Sequence, residues 1–327
     1  MTMLSVTPAH CLPTRAEEQR WLIKDLWSEE AVGIVGGEPK VGKTFLALDL
    51  AVAVAAGVPC LRHFHVSRVG SVLLYAAEDS LDIVRRRLEG ICVARGLELL
   101  DLDIQVITEP TLRLDLEPVR RRLDETVAKV KPRLLVLDPF VRLHRIDENA
   151  SGEVAPLLAY LRELQRRYAV AVLVVHHAKK GAGRIRAGQA LRGSSEFHAW
   201  GDSNLYLRKE SDDTLTLTVE HRAAPSVPTV TLELTKQAHA VTLNVVERLA
   251  APNPRPASLD ERIVAALTGV DRPLPFTELR ALCRTRTATV YDRLDALVAV
   301  GRLVKSADGY HLAGRDGSIG LASNQSR

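Results

Sequence analysis

GIVGGEPKVGKT, Gly33 to Thr44, ends a short apolar run that begins at Ala31 and opens a longer one that continues from Phe45 to Gly57. Within it, Gly37, Gly42, Lys43 and Thr44 stand at the spacing G-x4-G-K-T, between what read as a strand and a helix. Glycines there let backbone N–H groups curl around a phosphate, and the N-terminus of the following helix adds positive potential. The spacing therefore predicts a phosphate cradle built from Gly37, Glu38, Pro39, Lys40, Val41, Gly42, Lys43, Thr44 and Phe45. Lys43 is expected to neutralise the outer phosphates of a nucleoside triphosphate, and the Thr44 hydroxyl to reach Mg²⁺.

Working outward, short apolar runs recur between segments of helical spacing: SVLLYAA from Ser71, DIQVIT from Asp103, RLLVLD from Arg133 and VAVLVVHH from Val170. Helical patterns lie between them, over Lys43 to Ala56, Ser80 to Arg95, Pro118 to Val130 and Val154 to Arg167. Unbroken apolar strands alternating with helices predict an α/β fold on a mostly parallel twisted sheet flanked by helices. After about Ser203, alternating polar and apolar residues in SNLYLRKE, TLTLTVEHR, TVTLELT and AVTLNVV predict antiparallel strands that extend one edge.

Carboxylates fall where such a sheet gathers its chemistry, at the carboxyl ends of strands. LLVLDP ends in Asp138, the expected second Mg²⁺ group. VLLYAAEDS ends in Glu78 and Asp79; Glu78 is assigned as the general base for an attacking water, with Asp79 as helper or helix N-cap.

Taken in order, the glycine loop, AAEDS, LLVLDP, and VLVVHH followed by a basic loop and RGSS resemble the RecA-like P-loop ATPases related to the RepA-type hexameric helicases. The resemblance covers about Trp21 to Glu247. It implies a RecA-like core, ATP hydrolysis with Mg²⁺, a homo-oligomeric ring of six subunits (a hexamer), and contact with single-stranded DNA. It makes His176 the sensor of the γ-phosphate, with His177 as the alternative, since neighbours in a strand face opposite ways. It also implies a cation supplied by the neighbouring subunit: Arg222, or Arg208 or Lys209, although the residues around Arg222 depart from the RepA-like pattern. In the loop after the histidines, Lys179, Lys180, Arg184 and Arg186 are expected on the DNA backbone, with Arg192 linking loop order to nucleotide state. A solvated charged loop is the plainer reading of the same run.

Beyond the core, expected at residues 21–248 after a lead-in of 1–20, three prolines in LAAPNPRPAS mark a linker at 249–258. Residues 259–313 read as three helices and a hairpin, the outline of a winged helix-turn-helix. Its second half offers Arg284, Arg286 and Arg293 to DNA. Yet eight Lys and Arg face seven Asp and Glu between Ser258 and Leu312, so a replication or element-encoded protein is an equal candidate partner. Residues 314–327 read as a Gly- and Ser-rich tail.

The 46% hydrophobic and 26% charged composition excludes a disordered or collagen-like chain. Cys11, Cys60, Cys92 and Cys283 form no CxxC pair, which excludes a zinc ribbon and fits a reducing cytoplasm. No secretory signal is read at the N-terminus, and the run Phe45–Gly57 carries Asp49 and is too short for a membrane span. The function expected is a DNA helicase, translocase or remodelling ATPase. A nucleotide-gated oligomer that recruits DNA or a partner is the alternative.

Overall fold

A computed structural model describes residues 5–12, 14, 16–177, 196–211, 213–225, 227–237, 240–246, 259–268, 270, 272–283 and 287–313. The chain divides into two units, Met1–Glu247 and Arg248–Arg327. In the first, β1 (Trp21–Ile23) and β2 (Trp27–Ser28) form a small antiparallel pair that the apolar pattern did not separate. There follow β3 (Val32–Gly37), α1 (Lys43–Ala56), β4 (Val72–Ala76), α2 (Leu81–Ala94), β5 (Ile104–Val106) and α3 (Glu117–Val130). Then come β6 (Leu134–Asp138), α4 (Ser151–Tyr168), β7 (Ala171–His177), α5 (Glu196–Trp200), β8 (Ser203–Lys209), β9 (Thr214–His221), β10 (Val230–Gln237) and β11 (Ala240–Val245).

Nine strands make one sheet in the order β11-β10-β9-β8-β3-β7-β6-β4-β5. The mostly parallel α/β sheet expected from the sequence is present, with its antiparallel extension. One strand departs from expectation: SNLYLRK, read as antiparallel, forms β8 and pairs parallel with β3 while pairing antiparallel with β9. Its first five residues are all buried, as suits a strand inside a sheet and not at its edge.

Side-chain alternation sorts the strands between two cores. On β7, Leu173 and Val175 pack with α1 and α2, whereas Val172 and Val174 pack with α3, α4 and α5. Helix α1 is apolar nearly all round because its outer side is covered by α2 and β11. Its one acid, Asp49, is 2% exposed and accepts from Leu61 N–H at 2.7 Å and Cys60 Sγ at 3.3 Å. Arg95, at the end of α2, completes that carboxylate's bonding. Arg95→Ala would strand a buried charge, so it should lower the unfolding free energy of this unit by about 3 kcal/mol, read by denaturant titration.

The second unit has its own core around Ile263, Leu279, Leu294 and Tyr310. It comprises α6 (Leu259–Thr268), α7 (Phe276–Cys283), α8 (Thr287–Ala299) and the hairpin of β12 (Leu303–Ser306) with β13 (Gly309–Leu312). The expected linker and tail lie outside the described residues, as do Arg284 and Arg286. Among the described residues no helix is long and apolar enough to cross a membrane.

Candidate active site

The loop between β3 and α1 carries the backbone that a phosphate cradle needs. Gly42 has φ 91°, a left-handed value that glycine adopts without strain, and it N-caps α1. Gly37 has no room for a side chain: a Cβ there would sit 2.5 Å from Leu207 O and 2.9 Å from Val41 Cγ1. Glu38, Pro39 and Lys40 are exposed, while Val41 and Lys43 are buried. The Lys43 ammonium, 5% exposed, donates to Gly37 O at 3.1 Å and Glu38 O at 2.8 Å, inside the loop. Burial lowers its pKa to about 8, against the pull of Asp138 and Glu78.

Asp138 ends β6 at 7% exposure. Burial raises its carboxyl to about 6, opposed by a hydrogen bond from Thr44 and reinforced by the charges of Asp79 and Glu78. The structure thus brings Thr44 and Asp138 into contact, and Lys43 and Glu78 into the same electrostatic neighbourhood. Two titrating groups displaced toward neutral pH by burial, each partly restored by the opposite charge of the other, are what a polyanion and metal site requires. Oxygen donors from Thr44 and Asp138 suit Mg²⁺, and the buried ammonium at the N-terminus of α1, beside the glycine loop, suits the triphosphate.

Strands β4 and β6 are neighbours in parallel register, with Ala76 opposite Asp138, so Glu78 stands two residues beyond the same sheet edge. Asp79 is bound by Arg87, whose guanidinium also lies 5.1 Å over the Phe45 ring. Glu78 accepts from Arg142 at 3.1 Å. Neither arginine was singled out in the sequence, because each reaches its carboxylate through tertiary packing, Arg142 across 64 residues.

The histidine pair is divided by the sheet. His176 is 1% exposed and stacked on Phe197 at 4.2 Å, with Phe140 edge-on at 5.9 Å, on the α4 and α5 face. The ring of His176, preferred from the sequence as the phosphate-sensing side chain, thus lies in an aromatic core on the face away from α1. His177 is opposite Gly37 in register and falls on the α1 face with Leu173 and Val175. Lys179, Lys180, Arg184, Arg186 and Arg192 lie outside the described residues.

Arg222 follows β9, at the end of the strands opposite the glycine loop. Ser203 pairs with both Gly33 and His221, whereas the glycine loop leaves the other end of β3. Four residues of strand, about 13 Å, separate those ends, so Arg222 cannot reach its own loop. Its guanidinium bonds Ala199 O and pairs with Asp202 at 3.6 Å, in a cleft of 340 Å³ that His198, Glu220 and His221 also line. Arg208 and Lys209, exposed at the end of β8, stand instead at the loop's edge.

In the wall of the cleft, His221 contacts Ser203 Oγ at 3.1 Å and Asp25 O at 3.3 Å. Burial lowers its pKa, although Asp25 pulls the other way. A depressed histidine makes the unfolded state the better proton binder, so this contribution to stability is present above pH 6.5 and fades as pH falls below it. Melting temperature against pH should accordingly decline less steeply toward acid in His221→Gln than in the wild type.

The family model AAA_25, an AAA domain, matches residues 2–183, more than half of the chain. The chain belongs to the AAA_25 family. The AAA_25 match contains Lys43, Thr44, Glu78, Asp138 and both histidines. The crystal structure of the RadB recombinase is similar to this AAA_25 protein with a TM-score of 0.50 and 19% identity, over 67% of this chain and 92% of the other. At that identity the likeness shows the RecA-like fold alone. The structure of a DnaB-like replicative helicase and its interactions with primase matches at a TM-score of 0.49 and 16% identity, over 65% of this chain and 57% of that one.

Proposed function

We propose that this protein is a Mg²⁺-dependent ATPase of RecA-like architecture, RepA-like in its motif order, that works as a homo-oligomeric ring on single-stranded DNA. The observation that carries the reading is the convergence of Lys43, Thr44 bonded to Asp138, and Glu78 at one end of the parallel sheet. Mg²⁺, when bound, would screen phosphate charge and polarise the γ-phosphoryl group. Thr44 and Asp138 would hold it, and the glycine-loop amides with Lys43 would hold the phosphates. Glu78 would orient and deprotonate the attacking water, and His177 would sense the γ-phosphate from the α1 face.

Arg222 would serve a neighbouring subunit, a role that its distance from its own glycine loop supports, with Arg208 and Lys209 as the other candidates. Lys179, Lys180, Arg184, Arg186 and Arg192 remain the proposed DNA contacts. The test is ATP hydrolysis with and without single-stranded DNA, together with mass measurement in a non-hydrolysable nucleotide. A rate indifferent to DNA, with DNA affinity unmoved when the four lysines and arginines from 179 to 186 become alanine, would reject the motor.

A nucleotide-gated recruiting role is the second reading, and the C-terminal unit favours it. There Arg293 is held by both carboxylate oxygens of Asp260. Asp292 and Asp295 are exposed on α8, whose buried stripe is Val290, Leu294 and Leu297. An acidic outer face suits a protein partner better than duplex phosphates, so we read this winged-helix-like unit as a protein-contact module.

A further inference from the structure

The two arginines that hold the acid pair differ in how firmly they hold it. Arg87 is 28% exposed, is paired with Asp79 and lies over Phe45, so it fixes the turn after β4 to the first turn of α1. Arg142 is 61% exposed, its partner Glu78 is 45% exposed, and they share one contact of 3.1 Å. Arg142 ends the 3-10 turn Phe140–Arg142, which begins two residues after Asp138. Phe140 and Leu143 are fully buried and Leu143 N–H bonds Phe140 O at 2.8 Å, so the backbone of the turn is anchored while the guanidinium reaches outward.

An oxygen that accepts from a guanidinium does not use the same lone pair to take a proton from water. An exposed single-contact pair, however, shifts a population by only about two- to fivefold, so a stronger ligand displaces it. Phosphodiester oxygens are such a ligand, because guanidinium binds them in a planar fork. Val141 and Arg145, on the same segment, are exposed with Arg142, leaving its outer side open to an extended polyanion.

We propose that Arg142 is a releasable latch on Glu78: without nucleic acid it holds the carboxylate off the attacking water, and the backbone of bound single-stranded DNA draws the guanidinium away and frees the base. The proposal rests on the assignment of Glu78 as that base and names how DNA regulates it. No bond is made or broken at the latch; one ion pair is exchanged for another.

The test uses the full chain with Arg142→Ala and Arg142→Lys, measuring ATP hydrolysis with and without oligo(dT). The alanine variant should hydrolyse ATP about two- to fivefold faster than wild type without DNA, lose most of the stimulation by DNA, and keep the KM for ATP. Lysine, which retains the charge, should fall between. A DNA-free rate at or below wild type, or full stimulation in Arg142→Ala, overturns the latch; a tenfold fall would mean that Arg142 serves the nucleotide instead. Glu78→Gln separates the two readings: full hydrolysis in that variant removes the base and the latch together, whereas a dead Glu78→Gln beside an unaltered Arg142→Ala removes the latch alone.

Discussion

Glu78→Gln should slow ATP hydrolysis by about 10²- to 10⁴-fold while the protein still binds Mg-ATP. Glutamine keeps the size of the side chain and can still accept from Arg142, but it cannot take a proton from water. Glu78 projects from the end where β4 lies beside β6, two residues past the Ala76–Asp138 pairing, so it follows a different strand from the one that leads into the glycine loop. Loss of the base should therefore leave the phosphate cradle intact. Phosphate release at saturating ATP, set beside the affinity for a fluorescent ATP analogue, measures both halves. A fall of less than tenfold would move the base elsewhere, with Asp79 next in line and its Arg87 pairing as the obstacle.

Lys43→Ala should remove both binding and turnover, with a rate loss of about 10³-fold or more. The ammonium is already stripped of water, and its two backbone acceptors belong to the loop itself, so it is positioned before any nucleotide arrives. Alanine deletes that preorganised charge and leaves a void at the start of α1. The contrast with Glu78→Gln is the informative part: one variant should bind without turning over, the other should do neither. Calorimetric titration with ATP and Mg²⁺ distinguishes them, and hydrolysis by Lys43→Ala at the wild-type rate would reject the site altogether.

Much of the sheet was legible because buried parallel strands are written as unbroken apolar runs. The helix over Lys43–Ala56 was read with its bounds intact, since a glycine stands at each end of it. The antiparallel pairing of β8 with β9 was legible because it is local, whereas its parallel pairing with β3 was missed because it depends on a crossover that no period records. The β1–β2 pair was missed because strands of three and two residues carry no period at all. In the site, Lys43, Thr44 and Asp138 announce themselves by spacing and by strand-end position. Arg87 and Arg142 do not, being ordinary arginines until the fold sets them against Asp79 and Glu78.

From the sequence alone came the glycine loop with its lysine and threonine, the acids at two strand ends, and the rule that His176 and His177 face opposite ways. Backbone chemistry and a period of two residues suffice for those. Which histidine shares a face with α1 depended on which helices cover which side of the sheet. That Arg222 lies at the strand end opposite the glycine loop depended on β8 running parallel to β3 while β9 runs back, and that Arg293 is spent on Asp260 depended on how α6 meets α8. Each is a contact between segments distant in sequence, fixed by packing and not by any local pattern.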